Sequence, residues 1–337
     1  MLFRKAKPSP MASTDRPVFT AMAPFRLEPK FVNRVWGSED LHPWYDKVAQ
    51  GSPIGEVWLT GDECAIATGP NAGKSLSELF AESPEALLGN GIESSDSPLL
   101  IKVLFAREKL SVQVHPDDRL AQKYGFPRGK TECWYALAAS PGAKVAAGLK
   151  PGVTIGQLKT QIEDGTLEQS LAILPVSTGD LILVDAGTVH AIWPGSILLE
   201  IQQNSDLTYR MFDYGRGREL HIEKSLEAVR LVTKAGKVAP RVLGDRTILV
   251  DAKYFVVEHI PVEVSRSSAS LTGESEIAPG LAYLFAAAGS GRVSSPSFET
   301  IELPARGIIA VPAASPVFAV QDTGDLDLIR ITPRWPV

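Results

Sequence analysis

Three separate stretches of the chain carry residue types that together could hold a divalent metal. They are "LSVQVHPDD" from Leu110 to Asp118, "GKTECWYAL" from Gly129 to Leu137 and "DAGTVHAI" from Asp185 to Ile192. In the first, Leu110, Val112 and Val114 alternate with Ser111, Gln113 and His115. On a strand the polar three therefore share the face opposite the apolar three. In the second, Glu132 and Trp134 fall opposite Cys133, Tyr135 and Leu137, and Lys130 shares the side of Glu132. In the third, His190 follows a turn at Gly187 and opens a strand. Antiparallel strands can bring Gln113, His115, Glu132 and His190 to one point. Two imidazoles and a carboxylate suit Zn²⁺ at bonds of about 2.0–2.2 Å, and Gln113 would add a neutral oxygen. A nitrogen-and-oxygen set without thiolate also accepts iron, manganese or cobalt. The plainer alternative is a half-buried strand with its polar side in water, and Lys130 and Glu132 as a solvated ion pair.

A second polar cluster, "LLEIQQNSDLTYRMFDYGR", runs from Leu198 to Arg216. Glu200, Gln202 and Asn204 alternate with apolar residues, Asp206 is a candidate to extend the row, and Tyr209 and Arg210 follow. So many polar groups on one strand face are costly in an apolar core but suited to the wall of a wet pocket. An exposed sheet face, with Arg210 in a surface salt bridge, is the alternative. His42, His221 and His259 have no such company and read as turn, helix-opening and strand residues. "GPNAGKS", Gly69 to Ser75, imitates a phosphate loop but has three residues instead of four before its Gly-Lys pair, so it reads as a surface turn.

The elements that must position these groups are mostly strands. The 25 prolines and 28 glycines punctuate many short β-branched runs, a pattern of sandwiches or barrels. Apolar spacing predicts a helix over 76–88 with Ser75 or Ser77 as its cap, two short helices over 154–174 broken at Gly165, and one more over 221–234. Asp117 and Asp118 read as acids capping the short helix "DDRLAQKY". From Arg241 onward the text is nearly all strand and turn. A weak repeat pairs "GDLILVDAGTVHAI" with "RGIIAVPAASPVFAV", setting Val317 where the first copy has His190. Each copy resembles half of a small jelly roll, and only the first can hold chemistry that needs the histidine.

At 337 residues the chain is long enough for two domains. The expected division is a flexible N-terminal tail over 1–24, a metal-binding domain with helices over 25–240, and a C-terminal domain without a metal site over 241–337. With 34 basic against 39 acidic residues the net charge is −5, which offers no bulk attraction to nucleic acid or an anionic membrane. No apolar run approaches the roughly 20 residues of a membrane helix. Cys64 and Cys133, two distant cysteines, fit a reducing cytoplasm.

Taken together, "PLLIKVL", "LSVQVHPDD", "GKTECWY", "AGTVHAI" and "LLEIQQNSDLTYRMFDYGR", with a looser match at "IGEVW", resemble the type I phosphomannose isomerases in their short bacterial form. The resemblance runs from about Ile54 to Glu227. It implies two cupin-type β-barrels and a zinc-dependent interconversion of mannose 6-phosphate and fructose 6-phosphate, in a cytoplasmic monomer or homodimer. It also implies one metal per chain on Gln113, His115, Glu132 and His190, the four that strand faces select. Arg210 would act near the reacting carbons, Lys130 in the pocket, and Ser111 and Lys102 on the phosphate. Cys133 departs from the methionine more usual in the family. The reaction moves a proton between adjacent carbons through an enediol, so it needs a base. Glu200, which precedes Arg210 on what reads as the same strand, is the candidate and Lys130 the second. Other readings are a cupin dioxygenase, another sugar-phosphate isomerase, and a non-catalytic sugar-phosphate-binding bicupin.

Overall fold

The run Leu99–Phe105, Leu-Leu-Ile-Lys-Val-Leu-Phe, is buried along its whole length. A strand buried on both faces belongs to the middle of a stack, and that is where this one lies. A computed structural model describes residues 21–89, 92, 94, 96–262, 266–267 and 280–335. Its strands form antiparallel sheets of seven, five and nine members, so the molecule is mainly β, with short helices. The seven-stranded sheet is the central layer. Its spatial order is Gly236–Lys237, Leu181–Val184, Glu132–Ala139, Ser196–Gln203, Leu99–Phe105, Ile54–Trp58 and Lys30–Ser38.

Period-two alternation assigns the two faces of this sheet to different partners. Ile101, Val103, Leu199, Ile201 and Cys133 pack with Phe255, Tyr283, Phe285, Ile329 and Ile331 of the nine-stranded C-terminal sheet. On the other face Leu104, Trp134, Ala136 and Leu198 meet Val145, Ala147 and Ile192 of the five-stranded sheet. That sheet runs Tyr209–Phe212, Val112–Val114, His190–Ile192, Lys144–Leu149 and Leu171–Pro175. Its outer face, with Val112, Val114, Ala191 and Met211, is covered by Leu158 and Ile162 of the Ile155–Asp164 helix.

Several sequence expectations change in detail. The single helix over 76–88 is two, Leu76–Glu82 and Pro84–Leu88, because Pro84 has no N–H to continue the ladder. Ser75 caps the first, in a reciprocal pair with Glu78. Beyond Gly165, in the left-handed conformation at φ 75°, only a short 3₁₀ turn, Leu167–Ser170, precedes the next strand. The helix over 221–234 stops at Ala228. Asp117 caps the Asp118–Lys123 helix through Leu120 N, whereas the Asp118 carboxylate turns away to Gly129 N and Gln203. The stretch 69–75 is a turn. Residues 1–20 of the expected tail lie outside the described residues. Met22 N donates to Ala314 O, and Phe25–Arg26 adds a strand to the C-terminal sheet.

Candidate metal centre and active site

Most polar groups singled out in the sequence meet between the central and five-stranded sheets, with Glu200 and Arg210 on separate strands rather than one. Asn204, which donates to Asp62 Oδ1 at 3.2 Å, and Tyr209, packed on the outer face of the five-stranded sheet, do not. The register pairs His190 with Gln113 on one side and Arg210 with Gln113 on the other, while Glu132 sits opposite Gln202 and Glu200 opposite Lys102 in the facing layer. His115 lies one residue past its strand. Its imidazole, that of His190 and the Glu132 carboxylate offer ligand atoms all within 4.8 Å of one another, and all three residues are buried. Glu132 Oε2 stands 3.5 Å from His115 Nε2, and Oε1 3.6 Å from His190 Nε2.

Local folding aims these side chains. His115 Nδ1 lies 3.0 Å from Leu207 O and His190 Nδ1 2.9 Å from Thr188 O. A carbonyl can only accept, so each Nδ1 carries the proton and each Nε2 keeps its lone pair toward the cluster. Burial, aided by the Lys130 cation, pushes His115 well below the ordinary imidazole value, and burial lowers His190 to about 4, so both are neutral at neutral pH and able to offer a lone pair to a metal. Gly187 makes the turn before His190 at φ 91°, where a Cβ would meet Arg230 Cγ at 2.7 Å.

The donor set fits a metal. Glu132 Oε2 is buried and takes no hydrogen bond, although Lys130 Nζ stands 3.1 Å away. Lys130 Nζ also lies 3.2 Å from His115 Nε2, and a buried carboxylate beside two neutral imidazole nitrogens is a donor set that a divalent cation fits. The Gln113 carboxamide lies 3.2 Å from His190 Nε2, with Ser111 Oγ donating to its oxygen at 3.2 Å. Turning the amide by half a turn puts oxygen toward the cluster and lets its NH₂ donate to Ser111 Oγ.

From the cluster a row of alternating charges crosses the central sheet. Lys130 Nζ is 3.6 Å from Glu200 Oε1; Lys102 Nζ is 3.2 Å from that same oxygen and 3.6 Å from Glu56 Oε2. Arg34 closes the row with two bonds of 3.0 Å to Glu56, which also accepts from Trp58 Nε1 at 2.7 Å. Burial raises Glu200 above the ordinary carboxylate range, reinforced by Glu132 and opposed by Lys102 and Lys130. For Glu56, burial is outweighed by Lys102 and Arg34, and its value falls to about 2. Burial opposes the Lys102 charge too, but Glu200 and Glu56 hold it above the usual lysine value.

These groups open on a cavity of about 330 Å³ lined by Ser111, Gln113, Lys102, Lys130, Glu200 and Arg210. Arg210 gives Nη1 to Glu219 O at 2.8 Å, while its Nε is buried without a partner. His221 Nδ1 accepts from Arg210 N at 3.1 Å and holds that backbone in place. Asp206, read with the polar face of Glu200, also lines the cavity; sequence reasoning missed Arg34, Trp36, Thr208 and Arg218, which line it too, and gave Glu56 no role. The signal for Glu56 was present: an acid inside the buried run Ile54–Trp58 needs a counter-ion.

An enclosed nitrogen-and-oxygen cluster able to hold a metal, at the floor of a polar cavity between two antiparallel sheets, defines the class: a β-sheet enzyme built for a small polar substrate. The family description "Phosphomannose isomerase type I, catalytic domain" matches residues 24–146. A mannose-6-phosphate isomerase of Streptococcus mutans is 36% identical over 248 residues, 69% of this chain and 77% of that protein. Mannose-6-phosphate isomerase ManA of Bacillus subtilis is 36% identical over 249 residues, 69% of this chain and 78% of that one. The crystal structure of a Bacillus subtilis mannose 6-phosphate isomerase superposes with a TM-score of 0.80 at 29% identity, covering 92% of this chain and all of that one. The chain belongs to the type I phosphomannose isomerases.

Proposed function

We propose that the chain interconverts mannose 6-phosphate and fructose 6-phosphate in the cavity between the central and five-stranded sheets, with zinc on Gln113, His115, Glu132 and His190. The observation that carries this reading is the buried Glu132 carboxylate set against the Nε2 atoms of two neutral imidazoles beside the cavity. Bound zinc would supply a Lewis acid for the sugar oxygens. The remaining chemistry belongs to the protein. Glu200, its carboxyl raised by burial, takes the proton from C2 of the opened aldose and returns it to C1. Arg210 offers its unpartnered Nε to the oxygen that gains charge in the enediol. Lys130, between Glu132 and Glu200, moves a proton to or from a sugar oxygen. Ser111 and Lys102 contact substrate along the same wall, and Lys102 also balances the charge of Glu200.

The two-barrel reading is part of this proposal, with a catalytic unit over 25–240, a C-terminal unit over 241–337 and a tail before them. Its support is that the nine-stranded sheet encloses an apolar core of its own, with Leu284, Ile309 and Leu328. A cytoplasmic location fits two free, buried cysteines, and no described helix is long and apolar enough to cross a membrane. The test is a coupled assay with mannose 6-phosphate on chelator-stripped protein before and after added zinc. Restored turnover is expected; none with zinc or any other divalent metal would overturn the reading.

A further inference from the structure

The segment that delivers Lys130 and Glu132 to the cavity is tied down from both sides. Gly129 lies flat on the backbone before the Asp118–Lys123 helix: a Cβ there would meet Pro116 O and Asp117 C at 2.5 Å. Gly129 N donates to Asp118 Oδ1 at 2.9 Å, and Lys130 N to Pro116 O at 3.1 Å. Thr131 N donates to Gln203 Oε1 at 2.9 Å, and Gln203 Nε2 donates to Asp118 Oδ1 at 3.0 Å. The Asp118 carboxylate is therefore the hub of the clamp on both flanks of Lys130.

That hub is held from the other half of the molecule. Asp118 Oδ2 accepts from the Tyr254 hydroxyl. Tyr254 lies in the turn between the strands Arg246–Asp251 and Phe255–Ile260 of the C-terminal sheet. Lys253 Nζ donates to the Tyr254 oxygen at 2.9 Å and stands 4.0 Å from Asp118 Oδ2. The phenol is long and has few rotatable bonds, so its oxygen fixes where the carboxylate rests. Without that donor, one oxygen of Asp118 is free to turn, and Gly129 N and Gln203 follow the other.

We propose that Tyr254 is a positioning residue for the isomerase reaction: acting through Asp118 and Gln203, its hydroxyl sets the placement of Lys130, and the C-terminal sheet thereby tunes chemistry in a site to which it contributes no ligand. This rests on the reading that Lys130 works at the reacting atoms. The clamp acts on the chemical step rather than on substrate capture, because Tyr254 lies outside the cavity wall.

The test uses the full-length, zinc-loaded enzyme. Tyr254→Phe lowers kcat about 10-fold, as a sub-ångström displacement of a working group does, with KM within about twofold. Bound zinc and Tm stay at wild-type values. Asp118→Asn lowers kcat in the same way, and adding Tyr254→Phe to it costs nothing further. On a Lys130→Met background Tyr254→Phe has no additional effect. If Lys130→Met alone keeps wild-type kcat, the catalytic reading of Lys130 fails. If Lys130→Met is slow but Tyr254→Phe keeps wild-type kcat, or cuts it by the same factor on both backgrounds, the positioning role is overturned. A Tyr254→Phe protein that loses rate only in step with lost zinc or lowered Tm overturns it as well.

Discussion

Lys102→Met removes the cation at the centre of the charge row while keeping the length of the side chain. The ammonium is buried, 3.2 Å from Glu200 and 3.6 Å from Glu56. At an effective dielectric near 20, each contact is worth about 5 kcal/mol of gross attraction. The net loss is smaller, because Glu200 escapes by taking a proton. Its unperturbed value is 4.5. Holding it neutral at pH 7 while the unfolded chain ionises costs about 1.4 kcal/mol per pH unit, or about 3 kcal/mol in all. The sign follows: the folded variant keeps a proton that the unfolded chain has released, so its stability falls as pH rises above 4.5. Urea unfolding of metal-free wild type and variant at pH 5, 6 and 7 reads this directly. Because burial already raises Glu200 in the wild type, both proteins lose stability just above 4.5, and the difference between them opens, at up to about 1.4 kcal/mol per unit, once the wild-type carboxyl ionises on the way to pH 7. Adding Glu200→Gln restores most of the loss. A difference that does not vary with pH, or one below about 1 kcal/mol at pH 7, would refute the buried pairing, since unmatched buried charge costs more than that.

Other perturbations separate the parts of the site. His190→Ala loses both bound zinc and turnover, whereas Arg210→Ala keeps zinc and loses about 10²–10³ in kcat, as removal of one preorganised donor does; metal analysis beside the coupled assay distinguishes them. Glu56→Gln destabilises the fold by about 3 kcal/mol at neutral pH. Because the folded value of Glu56 is lowered from 4.5 to about 2, this difference is present above 4.5 and disappears as pH falls toward 2, which acid titration of both proteins followed by circular dichroism checks. Gly187→Ala forces a side chain into a left-handed turn and against Arg230. It costs about 1–3 kcal/mol and weakens zinc binding, read by Tm and by competition with a chelating dye.

How much of this was legible beforehand depended on whether the information was local. Alternation in "LSVQVHPDD" and "GKTECWY" separates Gln113, His115 and Glu132 from their apolar neighbours, and the structure turns Gln113 to the cavity and His115 and Glu132 into the buried cluster beside it. The paired sheets were not legible, because the seven-stranded order joins strands far apart in the chain, such as Leu99–Phe105 with Ser196–Gln203. Arg34 and Glu56 were missed for a related reason: their fork spans two strands, and neither residue alone announces a partner. The break at Pro84 was readable from proline chemistry and was overlooked because the apolar spacing continues across it.

The charge row also bears on how the chain finds its pairing. Lys102 stands opposite Glu200 in one neighbouring strand and beside Trp58 in the other. A slip of one residue would swing Glu200 into the layer occupied by Phe255 and Phe285, and leave Lys102 without its partner. Apolar strands of similar composition slide past one another at little cost, but here each wrong alignment strands a desolvated ion worth several kcal/mol. These strands are far apart in the chain, so their pairing carries a large loop-closure cost. The ions that ready the cavity for a sugar phosphate thus also act as a proofreading device, rejecting sheets that have zipped up one residue out of step.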